Sequence, residues 1–414
     1  MYFHDAFNTD AMVVMKISLL TYSTKPRGSV VHTWELATAL HHLGHQVAVY
    51  ALDKDGQDIE RVLPCPLHRI PASPAPADID GLISQRIQEF VTGLARADHT
   101  YDIYHAQDCI GANALVTLRQ QGLVPHVVRT VHHVEDYASA YLRQCQDTSI
   151  YQADLCLCVS DRWQQALAND YHLSAVRVVN GVDQQRFTNQ PQSRDADIKN
   201  TYGLTGSPIY LTVGGIEPRK NSLRLLEAFS QVRHHHPQAQ LVIAGGATLF
   251  DYQTYRDQFF QRVTDLGLTV GADLILPGVV PDAVLPGLYR SADVFCFPSI
   301  KEGWGLVVME AIAAGLPVIV ANEPPFTEFL TPQQALFVTP TAVSDIAKAM
   351  ITAADPSQAQ GFIHHSRAIL PQYTWQASAQ QHVLAYQRLI SGAAAIPERL
   401  VPAPAEPFDP QAGP

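Results

Sequence analysis

The sequence predicts an α/β fold of two doubly wound domains facing a cleft, on three observations. Its 414 residues exceed what one hydrophobic core usually holds. Short, unbroken apolar runs alternate with helical patterns, the mark of parallel strands covered on both faces. That alternation occurs twice, in two series separated by a polar stretch at 189–203 rich in Gln, Asn, Asp and Ser, which is where a domain boundary belongs.

The first series places strands at 16–22, 46–52, 103–106, 127–131, 155–160 and 176–179. Its clearest helix covers 30–43 and stops at Gly44, a residue suited to closing a helix. The second series places strands at 209–213, 241–244, 274–276, 294–298, 318–321 and 336–338. Its helices include 222–235, with Asn221 as candidate N-cap, and 305–314. Beyond them, Trp375, Ala379, Val383, Tyr386 and Leu389 recur at helical spacing.

The predicted organisation is an extension at 1–14 with Met15 as the structural start, a first domain at 15–190 and a linker at 191–203. A second domain at 204–371 and a helical segment at 372–395 follow. The segment Pro71-Ala72-Ser73-Pro74-Ala75-Pro76 reads as a stiff, extended connector. A tail at 396–414, with prolines at 397, 402, 404, 407, 410 and 414, excludes a stable helix and predicts disorder.

Composition narrows the function classes. Hydrophobic residues make up 47% and charged residues 16%, values of a soluble globular protein. The net charge of -11 is spread evenly: residues 1–200 carry 16 Lys/Arg against 22 Asp/Glu, and residues 201–414 carry 12 against 17. No basic stripe favours nucleic acid or an anionic membrane surface. The longest apolar stretch, 305–321, is interrupted by Glu310 and Pro317, so no transmembrane segment is expected. The first fourteen residues contain no Lys or Arg, unlike a secretory signal. Six cysteines without CxxC spacing read as reduced thiols of a cytoplasmic protein. His234-His235-His236 would point in different directions from a helix, so no metal site is expected.

The chemistry-bearing motifs sit at strand ends. In Pro298-Ser299-Ile300-Lys301-Glu302-Gly303-Trp304-Gly305-Leu306 a strand, a glycine turn and a helix N-terminus present backbone N–H groups to an electronegative ligand. Glu302 lies in the loop; Glu310, within the helix, can accept hydrogen bonds from a diol. Val213-Gly214-Gly215-Ile216-Glu217-Pro218-Arg219-Lys220-Asn221 sets two cations just before a helix N-terminus, a conflict with the dipole that a bound diphosphate would resolve. Lys25-Pro26-Arg27-Gly28-Ser29 opens the first helix, and Gly28 would let a phosphate approach its amides. That loop lacks the GxGxxG pattern of nicotinamide sites. Arg129-Thr130-Val131-His132-His133 brings His132 to the sheet's carboxyl edge. Asn180-Gly181-Val182-Asp183 reads as a mainly structural tight turn.

Taken in order, these motifs resemble the retaining glycosyltransferases of family 4, which have the GT-B fold of two Rossmann-like domains. The resemblance runs from about Lys16 to Leu389; its most specific element is the spacing of Glu302 and Glu310, supported by Asp102-Ile103-Tyr104-His105 and Leu225-Leu226-Glu227-Ala228-Phe229. It implies a nucleoside diphosphate sugar, UDP- or GDP-linked, held mainly in the second domain, and no separate cofactor or metal. By this resemblance Glu310 binds the ribose hydroxyls, Glu302 sits near the donor sugar, and Gly303, Trp304, Gly305 and Leu306 offer amides. Lys220 and Arg219, with Gly214 and Gly215, face the diphosphate, Gly28 and Ser29 approach from the first domain, and His132 lies near the reacting centre. The expected catalytic set is His132, Glu302 and Lys220. The family's closing helix packs back on the first domain, so 372–395 is expected there, with hinges near 189–203 and Pro371.

The chain departs from the family in having Gly215 where many members carry arginine, with Arg219 able to supply that charge. Trp304 replaces the commoner phenylalanine, which is expected to alter pocket width, and Gly28-Ser29 replaces a glycine pair. The implied reaction is hexosyl transfer to an acceptor hydroxyl, with a soluble acceptor favoured. A sugar-nucleotide epimerase of the same fold, or a non-catalytic sugar-nucleotide-binding protein, stays open as an alternative.

Overall fold

A computed structural model describes residues 13–56, 59, 61–97, 100–246 and 252–392. Most of the expected extension at 1–14, residues 393–395 and the whole tail at 396–414 lie outside the described residues.

The first half runs β1 (Lys16–Thr21), α1 (Gly28–His42), β2 (Gln46–Asp53), β3 (Leu67–Pro71), α2 (Ile79–Ala95) and β4 (Ile103–Ala106). It continues with α3 (Cys109–Gln120), β5 (Val127–Val131), α4 (Ala140–Tyr151), β6 (Leu155–Cys158), α5 (Asp161–Asp170) and β7 (Val176–Arg177). The second half runs α6 (Asp195–Tyr202), β8 (Ile209–Val213), α7 (Ser222–Val232), β9 (Gln240–Ala244), α8 (Gln253–Asp265) and β10 (Leu274–Gly278). Then follow α9 (Leu285–Arg290), β11 (Val294–Phe297), α10 (Leu306–Ala313), β12 (Val318–Ala321), α11 (Phe326–Phe329) and β13 (Leu336–Val338). The described residues end with α12 (Val343–Ala354), α13 (Pro356–Arg367) and α14 (Trp375–Ser391).

Two parallel sheets result, ordered β3-β2-β1-β4-β5-β6-β7 and β10-β9-β8-β11-β12-β13. Central strands such as β11 and β12 are buried along their whole length, which explains their unbroken apolar runs. In each sheet the order reverses beside the first strand, between β1 and β4 and between β8 and β11. Crevices at the carboxyl ends open at such reversals. The architecture is the α/β, GT-B arrangement expected from the sequence.

The last helix returns to the first domain. Trp375, Ala379, Val383 and Tyr386 of α14 share one core with Ile17, Leu19, Leu36 and Leu40. The Thr374 hydroxyl caps the helix by accepting from the Ala377 N–H at 3.1 Å. Gly181 makes the crossing possible: a Cβ there would stand 2.2 Å from the Trp375 nitrogen, and Val182 N–H donates to the Tyr373 carbonyl at 3.1 Å.

Several local expectations are corrected. Strand β3 was not anticipated, because its residues are mostly half-buried and do not form an unbroken apolar run; Pro71 ends it, so the extended connector begins at Ala72. The polar linker contains α6, a helix hidden by its composition. It buries Ile198, closes at Gly203 with φ +64, and is clamped by Arg290, which donates to both Asp195 oxygens at 2.9 and 2.8 Å. Helix α7 ends at Val232, earlier than the histidine triplet. Asn221 does not cap α7 with its side chain: at φ 61 it instead donates from Nδ2 to the carbonyls of Pro298 and Pro340, at 3.0 and 2.6 Å. Among the described residues, no helix is long and apolar enough to cross a membrane.

Replacing Gly181 by alanine should push the start of α14 off the first domain and lower stability by about 1–3 kcal/mol, as overpacking does. Urea unfolding checks this; an unchanged midpoint would contradict the role given to this glycine.

Candidate active site

The loop after β11 and the turn after β8 meet because their strands are neighbours. Pro218–Lys220 forms a single 3₁₀ turn before α7. It aims both cations at one carboxylate: Lys220 Nζ and Arg219 Nη1 donate to Glu302 Oε1 at 2.7 and 2.9 Å. Glu217 stands 3.7 Å from Arg219, so two cations face two carboxylates. Lys220 Nζ also lies 4.4 Å from the centre of the Phe297 ring, a cation–π distance. Burial opposes ionisation of Glu302, but Lys220 and Arg219 outweigh it and hold the carboxyl below its ordinary range. The sequence-level conflict between these cations and the helix dipole is therefore met inside the protein, by Glu302, before any ligand is considered.

Gly305, at φ +105, precedes α10 without a side-chain cap; the Val308 N–H turns back to the Gly305 carbonyl at 3.0 Å, and the Leu306 and Val307 amides retain donor capacity. One turn in, Glu310 Oε2 accepts from the Tyr289 hydroxyl at 2.8 Å. Burial raises the Glu310 carboxyl to about 7, with the Tyr289 hydrogen bond and Arg186 opposing the shift.

The first domain closes on this loop. A Cβ on Gly303 would stand 2.5 Å from the His132 carbonyl oxygen, so glycine permits the contact. The Trp163 indole N–H of α5 donates to the Glu302 carbonyl at 3.0 Å. Lys301 reaches Asp136 at 3.1 Å, and Glu328 accepts from the Asp161 and Arg162 N–H groups at 2.7 and 2.9 Å, at the positive end of α5. His132 Nε2 lies 3.1 Å from Gln107 Oε1. Burial, with Arg129 nearby, holds His132 well below the usual histidine range, so its imidazole is neutral.

Gly28 and Ser29 start α1, whose N-terminus has no side-chain cap. A Cβ on Gly28 would meet open space. The phenol of Tyr22 beside them is raised to about 12 by burial, with Glu217 of the other domain adding to the rise.

Two expected donor residues have a different side-chain setting. The Trp304 indole is 3% exposed and stacks on Phe329 at 5.0 Å. Exchange with phenylalanine would change packing rather than pocket width, leaving the backbone as its route to a ligand. Gly215 has no room for the arginine common elsewhere, since even a Cβ would sit 2.6 Å from the Gly246 carbonyl and 2.8 Å from Glu217 Oε1. Tyr289, Trp163 and Gln107 were not singled out from sequence, and Asn221 was read only as a helix cap. Gln107 follows the Asp102–His105 motif by two positions, a usable signal; the others join segments far apart in the chain.

Comparison with known proteins identifies the class. Residues 26–186 match the profile described as Glycosyltransferase Family 4, and residues 194–361 that described as Glycosyl transferases group 1. The chain belongs to this glycosyltransferase family. It is 26% identical over 388 residues to a phosphatidyl-myo-inositol mannosyltransferase of Mycolicibacterium smegmatis, covering 89% of this chain and 92% of that one. An uncharacterised glycosyltransferase of Methanocaldococcus jannaschii is 26% identical over 325 residues, 74% of this chain and 80% of that one. In fold it is similar to a sucrose-phosphate synthase of Thermosynechococcus elongatus, with TM-score 0.75 and 23% identity over 92% of this chain and all of the other. Anabaena HepE in complex with UDP-glucose aligns with TM-score 0.72 and 19% identity, covering 91% of this chain and 100% of that one.

Restoring the family's arginine by Gly215→Arg should destabilise the protein by about 1–3 kcal/mol without improving affinity for a nucleoside diphosphate. Thermal unfolding and calorimetric titration check both; a gain in affinity at unchanged stability would contradict the packing argument.

Proposed function

We propose that this chain transfers a hexose from a nucleoside diphosphate sugar to an acceptor hydroxyl with retention of anomeric configuration. The supporting observation is the convergence of Lys220 and Arg219 on Glu302 at the uncapped start of α10, with Gly303 against the His132 carbonyl. In this reading the diphosphate lies against Lys220, Arg219 and the amides of Gly214 and Gly215, with Gly28 and Ser29 closing from the first domain. The sugar rests beside Glu302 and the amides of Gly303, Trp304, Gly305 and Leu306. Ribose hydroxyls donate to Glu310, and His132 faces the reacting centre.

The reaction is then a front-face displacement. The bond between the anomeric carbon and the phosphate oxygen breaks, the acceptor oxygen bonds to that carbon from the same face, and the departing phosphate takes the acceptor proton. Charge developing on the diphosphate is met by fixed cations and amides, which need no reorganisation as the bond breaks. Because Arg219 and Lys220 supply that charge, turnover is expected in the presence of a chelator. Relatives named as mannosyltransferases and a structural neighbour holding UDP-glucose support the donor class, and UDP- and GDP-linked sugars both suit it.

The test is proton NMR of the products formed from α-linked UDP-glucose and GDP-mannose with a panel of acceptors. The reading expects an α-linked product with release of nucleoside diphosphate. A β-linked product, or interconversion of the donor sugar without transfer, would overturn it. Removing the Lys220 ammonium by Lys220→Ala should lower kcat about 10- to 100-fold, the effect of a lost charge-assisted hydrogen bond of about 1.5–3 kcal/mol.

Glu310 also predicts a pH dependence. With its carboxyl raised to about 7, protonation below that point removes the charge that strengthens its acceptance from the ribose diol. Donor KM should therefore rise about tenfold as pH falls from about 8 to about 6, and Glu310→Gln should abolish the trend. A flat KM in the unaltered enzyme would contradict the assignment.

A further inference from the structure

Strands β4 and β5 are parallel neighbours with Ala106 opposite Arg129, so the residues just past their ends, Gln107 and His132, come together at the carboxyl edge. The Gln107 backbone N–H donates to the Leu20 carbonyl at 3.0 Å, and its side chain is 1% exposed. Its two amide ends contact two imidazoles. Nε2 lies 3.2 Å from His105 Nε2, and Oε1 lies 3.1 Å from His132 Nε2.

We propose that Gln107 is a positioning residue that fixes the proton of His132 on Nε2 and leaves the lone pair on Nδ1. An amide nitrogen only donates and an amide oxygen only accepts. His105 Nε2 must therefore be the lone-pair nitrogen, a role that the Thr130 hydroxyl also serves by donating to it at 2.7 Å. The His105 proton is then on Nδ1 and is donated to the Tyr386 hydroxyl oxygen at 2.7 Å. At the other end, the Gln107 oxygen requires an N–H on His132 Nε2. Burial keeps both imidazoles neutral, so the choice of tautomer is the freedom left to them. The donors run in one direction, from His132 through Gln107 and His105 to Tyr386 on α14. The His132 ring is further packed edge-on by His32, with centroids 4.8 Å apart. His132 so held can accept a hydrogen bond from a sugar or acceptor hydroxyl at Nδ1 and cannot donate one there.

The proposal rests on the reading that His132 faces the transferred sugar, and its test separates the two. In the full chain carrying ¹⁵N-labelled histidine, the His132 signals are identified by their loss in His132→Asn. The expected spectrum has a protonated Nε2 and an unprotonated Nδ1 in the native protein. Gln107→Glu keeps an acceptor for His132, while His105 can carry its proton on Nε2 and accept from the Tyr386 hydroxyl at Nδ1, so the His132 spectrum should persist. Gln107→Met removes the acceptor and should give a mixture of tautomers. Its kcat should fall about 10- to 100-fold, with donor KM within about threefold, and Gln107→Glu should recover most of the loss. Protonation on Nδ1 in the native protein, an unchanged spectrum in Gln107→Met, or equal losses of kcat in both variants would overturn the proposal. Full activity in His132→Asn would instead overturn the reading of His132, whatever its tautomer.

Discussion

A single carboxylate oxygen, Glu302 Oε1, accepts from both Lys220 and Arg219, and the cleft is organised around that junction. All three groups are largely removed from water, where an uncompensated charge costs several kcal/mol and removal of one partner strands the others. The surrounding backbone is held accordingly. Asn221 ties Pro298 to Pro340 beneath the turn, the Trp163 indole fixes the Glu302 carbonyl from the other domain, and Gly303 lets the loop rest on the end of β5.

Topology explains why this junction can face a ligand. Each sheet reverses its strand order once, and the segment leaving β5 meets the loop leaving β11, where Gly303 rests on the His132 carbonyl and Lys301 reaches Asp136. One domain contributes a neutral histidine and the uncapped start of α1; the other contributes cations, Glu302 and the uncapped start of α10. A donor between them would meet fixed dipoles from both sides, and α14 fastens the arrangement by returning to the first core.

Much of this was legible in the sequence, for physical reasons. Strands buried on both faces are mostly apolar, so β11 and β12 announce themselves as unbroken runs, and the helical spacing of Trp375, Ala379, Val383 and Tyr386 marks the face of α14 that is buried. The spacing of Glu302 and Glu310 and the Arg219-Lys220 pair are local patterns and were visible as such. Their pairing was not, because Lys220 and Glu302 are 82 positions apart and Trp163 and Glu302 are 139 apart. Helix α6 was hidden by polar composition, since it buries Ile198 alone. Trp304 was expected to alter pocket width because it stands where the family commonly has phenylalanine, yet its ring has a core partner in Phe329 that local pattern does not reveal. Gly215 read as a missing charge, whereas packing against the Gly246 carbonyl leaves no space for one.

The most direct measurement is thermal stabilisation by UDP, GDP and their hexose conjugates, without metal and then with magnesium, for the native chain and for Lys220→Ala. A nucleoside diphosphate at 100 times its dissociation constant should add about 2.7 kcal/mol. A clear shift is expected in the native chain without metal, confined to one nucleobase and lost in the variant. An equal shift in both proteins, or no shift with any of these ligands, would contradict the claim that this cluster holds the donor.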